Sequence, residues 1–126
     1  MPNEVDSMEV ILLDELASTV ETIWLTDVQI RECVASRQWA EGRYLSALLL
    51  DLLQEKRIPY EAIRQKLSEL GHAHPGKANQ IQRCSDMLTQ LFSVTSKYLP
   101  IYARIVVGFS EKMDASSASS LQENRC

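Results

Sequence analysis

An all-α fold, a compact bundle of five or six helices, is predicted by two observations. Only four glycines and four prolines occur in 126 residues, too few for the closely spaced turns that a sandwich or small barrel requires. Every patterned segment also repeats its apolar residues at three-four spacing, and none alternates strictly as a half-buried strand would.

The first helix is expected to begin at Asp6, where Asp6-x-x-Glu9 has the form of a capping box. Leu13, Leu16, Ala17, Val20, Ile23 and Trp24 share one face of it, which predicts the buried stripe. Thr26-Asp27-Val28-Gln29 is a second box and predicts a new helix carrying Ile30, Cys33 and Val34. Gly42 predicts a break between Gln38 and Arg43. The third helix, from Arg43 to Arg57, is apolar around much of its circumference (Tyr44, Leu45, Leu48, Leu49, Leu52, Leu53) and so takes a central place. Pro59 suits the first turn of a fourth helix, with Ile63, Leu67 and Leu70 inward and Gly71 as its left-handed terminator. A fifth carries Ile81, Cys84, Leu88, Leu91, Thr95 and Tyr98, and Pro100 ends or kinks it. The segment Ile101–Met113 repeats Tyr102, Ile105, Val106 and Phe109. From Asp114 the Ala- and Ser-rich sequence has too little apolar content to dock, which divides the chain into a helical domain, 1–113, and a disordered tail, 114–126.

A hydrophobic content of 45% and a charged content of 24% describe an ordinary folded domain. No apolar run approaches the length that crosses a bilayer, and no secretory leader opens the chain, so no membrane contact is expected. Cys33, Cys84 and Cys126 form no framework, which fits a reducing, cytoplasmic setting. The net charge of −4 disfavours non-specific nucleic-acid binding. Residues 1–32 hold eight acids against Arg31 alone, whereas the remainder is basic. That asymmetry is either a solvated face or an acidic docking surface.

Motifs for catalysis or cofactors are weak. Gly71-x-x-x-x-Gly76-Lys77 copies the spacing of a phosphate-binding loop, but a helical pattern precedes it and Ala78 stands where the magnesium-binding hydroxyl belongs. His72-x-His74, with Cys84 or Asp86, falls short of a zinc site. Both histidines share one loop, and no nucleophile elbow accompanies the serines. No enzyme, cofactor, metal or small-molecule substrate is expected.

What remains is a protein-interaction module: a helical adaptor, chaperone or occluding regulator that binds a partner protein, or itself as a homodimer. The residues expected to serve are the acids Asp14, Glu15 and Glu21 together with Leu12 and Leu50, which like Val94 and Val107 fall outside the main apolar stripes. The alternative is a helix-turn-helix DNA-binding regulator over residues 60–87, using Arg64, Lys66, Lys77 and Arg83. Its six-residue connection exceeds the usual three or four.

Overall fold

The computed structural model describes residues 3–123, with side chains through Ser116. They form α1 (Glu4–Ala35), α2 (Trp39–Arg57), α3 (Tyr60–Ala73), a 3-10 turn (Pro75–Lys77) and α4 (Ala78–Glu123). The all-α expectation holds, with no strand among the described residues. The number of helices does not. Ile58 and Pro59, between α2 and α3, both keep right-handed helical backbone angles. The two helices therefore form one bent arm beside the long rods α1 and α4, giving three arms in place of five or six helices.

Each missing or displaced break has a local cause. Asn3, not Asp6, caps α1: its side chain accepts the Asp6 N–H at 2.9 Å, which leaves Asp6 inside the first turn. The Thr26–Gln29 box does not open a helix, because α1 passes through it. Its Asp27 carboxylate is engaged instead by Tyr102 Oη at 3.1 Å and Arg31 Nε at 2.8 Å. The reversal before α2 falls at Ser36–Gln38, where Arg37 adopts φ 57°. Gly42 lies in the first turn of α2 and is buried. Gly71 has no positive φ, and α3 continues past it to Ala73. Pro100 neither ends nor divides α4. A proline there forfeits one intrahelical hydrogen bond, but Tyr102 and Phe109 are buried after it as Leu91 and Thr95 are before it, so a single seam holds both halves. In the segment expected to form a disordered tail, the backbone of α4 continues to Glu123, Asp114, Ala115 and Ser116 are exposed, and residues 124–126 lie outside the described residues.

The rods meet along heptads. On α1 the buried positions are Val5, Leu12, Thr19, Ile23, Ile30 and Cys33. On α4 they include Cys84, Leu88, Leu91, Thr95, Tyr102 and Phe109. Residues repeating every three and four positions on facing helices interlock as in a coiled coil. One core cluster gathers Ile23, Ile30, Leu49, Leu53, Tyr102 and Phe109. The other joins Leu12, Leu67, Cys84 and Leu88 at the opposite end. Gln80 Nε2 donates to Asp6 at 2.7 Å and Tyr102 to Asp27 at 3.1 Å. These two contacts make α1 and α4 parallel and fix their register. α2 runs antiparallel to α4, with Gly42 on Phe109 and Arg57 over the Phe92 ring.

Candidate interaction surface

α1 carries more apolar positions than the core takes. Beside its buried seam runs a second one, Val10, Leu13, Ala17, Val20 and Trp24, also at three-four spacing. It lies in the open: Leu13 is 59% exposed, Val20 48% and Trp24 65%. The stripe read from sequence as the core of the first helix is thus largely its outer surface; of that set only Ile23 is buried and Leu16 half-buried. The reason is physical. Two adjacent apolar seams on one helix compete for the same neighbours, and the seam containing Thr19 and Cys33 won because Leu12, Ile23 and Ile30 mesh with α2, α3 and α4.

The last two residues of the exposed stripe, Val20 and Trp24, reach a groove whose other wall is α4. Val20, Ile23, Trp24 and Asp27 line one side, and Val94, Tyr98 and Tyr102 the other. Ile101, 39% exposed, extends the apolar surface along α4. Single exposed apolar residues are ordinary, but a contiguous row on a helix next to a groove is the form taken by helix-binding surfaces.

The predicted partner-binding residues separate. Asp14 and Glu21 are exposed on the far side of the stripe, and neither is ion-paired among the described residues. Glu15 is paired with Lys56 of α2. Leu12 does not fall outside the buried seam: at 1% exposure it is core, packed with Leu67, Cys84 and Leu88. Leu50 is half-buried on α2. Among the residues of the DNA-binding alternative, Lys66, Lys77 and Arg83 stand 3.7, 3.8 and 3.7 Å from Glu4, Asp6 and Glu9, and Arg64 is 2.8 Å from Glu61. Four of the eight acids in residues 1–32, Glu4, Asp6, Glu9 and Glu15, are thus engaged by the basic remainder of the chain. These pairs are mostly exposed and each contributes little stability, but they match α1 to the faces it packs on.

The loop motifs dissolve into helical structure. Gly71 and His72 belong to α3, His74 caps its end, and Pro75–Lys77 form the 3-10 turn. A helix, not a strand, leads into Gly71, and Lys77 points its ammonium toward Asp6. No group of three or more His, Cys, Asp and Glu able to hold a metal occurs among the described residues. Nor is any described helix long and apolar enough to cross a membrane. Cys33 and Cys84 are free thiols in the core.

Three buried acids of high pKa set an alkaline limit. Burial, then the Asp27 carboxylate, pushes the Tyr102 phenol well above its ordinary value. Burial raises Cys33, helped by Glu41 and Glu32, and raises Cys84, helped by Glu9. In the unfolded chain these groups ionise near pH 8.5 and 10, whereas the folded protein retains the protons. The folded state then binds more protons than the unfolded one, so stability falls as pH rises. Urea midpoints should hold steady to about pH 8 and fall from about 9 to 11. In Tyr102→Phe the decline above about pH 10 should be shallower; a midpoint that rises with pH in this range would contradict the assignment.

Comparison with protein families, curated proteins and solved structures finds no match to this chain.

Proposed function

We propose that this chain is a non-enzymatic interaction module that seats a helix of a protein partner in the groove between α1 and α4. The observation that carries the reading is the exposed second seam, Val10, Leu13, Ala17, Val20 and Trp24, whose end at Val20 and Trp24 faces Val94 and Tyr98 across the groove. Docked there, an amphipathic helix with its own three-four stripe buries apolar surface on both walls, and that burial supplies most of the affinity. The unpaired Asp14 and Glu21, beyond the stripe on α1, steer the approach of the partner. Lys66, Lys77, Arg83 and Arg64 each have a carboxylate within 4 Å, which weighs against the DNA-binding alternative, since phosphate contacts need cations free to release their counterions. Two free, buried thiols accord with action in a reducing compartment such as the cytoplasm.

A photo-crosslinking residue tests this directly. Placed at Val20 it should yield a covalent adduct with a protein in native extract, resistant to nuclease. Placed at Gln54, exposed on α2, it should yield none. Absence of a protein adduct at Val20, or a nucleic-acid adduct there, would overturn the reading.

A further inference from the structure

Where the turn between α1 and α2 meets α4, two cavities share the side chains of Trp39 and Lys112 as walls. One, of about 320 Å³, is apolar and is completed by Val34, Ile105, Gly108 and Phe109. The other is completed by Arg37, Ala115 and Ser116. The Lys112 ammonium lies 5.8 Å from the centre of the Trp39 ring, so it stands over the boundary between the two. Arg37 and Lys112 are exposed, and neither is ion-paired among the described residues. No carboxylate lines either cavity among those residues.

Two residues here run against the preferences of the fold. Arg37 ends α1 in the left-handed region, at φ 57°. Its N–H donates to Val34 at 3.3 Å, and that of Gln38 donates to Cys33 at 2.8 Å. That closure normally uses glycine, since a side chain strains the backbone there. Gly108 is the converse case. It sits inside α4 without a positive φ, and a Cβ built on it would meet nothing within 4 Å. Neither backbone conformation nor close packing requires glycine at this place, yet glycine weakens a helix interior. Both departures cost stability, and both shape the same spot: Arg37 supplies a cation, and Gly108 leaves the apolar cavity unfilled. Local rules broken together at one place mark a site held for a purpose other than folding.

We infer that these cavities form one binding site for a small amphipathic anion, an apolar carbon chain ending in a single carboxylate. The carboxylate lies between Arg37 and Lys112, which offer charge-assisted hydrogen bonds. The chain lies over Gly108 against Val34, Ile105 and Phe109, where its burial supplies affinity. A cationic head would be repelled by both bases, and a bare anion would leave the apolar half empty. The site does not depend on the reading of the groove at Val20 and Trp24.

Calorimetric titration of the full chain with decanoate, below its micellar range, tests the site. Saturable binding with a Kd of about 10–100 µM is expected. Decyltrimethylammonium, with the same chain and the opposite charge, and acetate, a head without a chain, should each bind about tenfold more weakly or worse. Arg37→Gly and Gly108→Leu should each weaken decanoate binding about tenfold or more, and Lys112→Gln, a surface change that leaves the core untouched, about threefold or more. Arg37→Gly and Gly108→Ala should nonetheless raise the melting midpoint, which separates a lost ligand contact from a damaged fold. Absence of saturable decanoate binding, equal binding of either control ligand, or unchanged affinity in Arg37→Gly and Lys112→Gln would overturn the inference. A lowered midpoint in Arg37→Gly or Gly108→Ala would do the same, because the fold itself would then require these residues.

Discussion

Gly42→Ala should lower the melting midpoint by several degrees, although alanine is the better helix former. A Cβ at Gly42 would lie 2.3 Å from Cε1 and 2.4 Å from Cζ of Phe109. That ring is 5% exposed and rests against Trp39, with ring centres 6.2 Å apart, so giving way to a new methyl disturbs this packing. Helix propensity favours alanine by up to about 1 kcal/mol, while forcing atoms into a packed core costs about 1–3 kcal/mol. The clash wins, and Gly42→Leu should fail to fold. Gly76→Ala is the control, because nothing lies within 4 Å of its would-be Cβ. Thermal denaturation followed at 222 nm reads both. An unchanged or higher midpoint for Gly42→Ala would mean that α2 and α4 do not pack as closely as described.

Leu12→Ala should cost about 2–5 kcal/mol of stability, the loss usual for a leucine deleted from a closed core. Leu12 is 1% exposed and joins α1 to Leu67 of α3 and to Cys84 and Leu88 of α4, so its removal leaves a cavity where three helices meet. Urea denaturation gives the number. Leu50, half-buried, should cost clearly less on truncation to alanine. A loss below about 1 kcal/mol at Leu12, with the fold intact, would place it on a surface instead.

What was legible in the sequence follows from which forces are local. The α4 seam is local in origin: Cys84, Leu88, Leu91 and Thr95 repeat cleanly, and all are buried as their spacing predicts. Tyr102 and Phe109 continue it. On α1, by contrast, the chain offers two seams side by side, and the one with the larger residues, Leu13, Val20 and Trp24, looked like the core. Which seam is covered depends on residues in α2, α3 and α4, so spacing within α1 does not decide it. The breaks expected at Thr26 and Pro100 fail for the same reason: each is a weak local signal, worth about 1–3 kcal/mol, opposed by a rod packed on both sides of it. Those expected at Gly42 and Gly71 occur a few residues away, at Ser36–Gln38 and after Ala73. The groove is only partly legible: charge alone points to Asp14 and Glu21, while Val20 and Trp24 acquire meaning once α1 is seen to lie parallel to α4.

That parallel pairing also bears on how the chain is made. Gln80 lies 74 positions after Asp6, which it meets, and Tyr102 lies 75 after Asp27. At about 5–20 residues per second, the ribosome needs several seconds after finishing α1 to deliver the helix that completes its cover. Over that interval α2 is the available neighbour, and Leu12, whose core partners belong to α3 and α4, stays wet together with the outer stripe. A nascent chain stalled before α4 therefore presents a first helix apolar on two flanks, the kind of surface that holding chaperones bind.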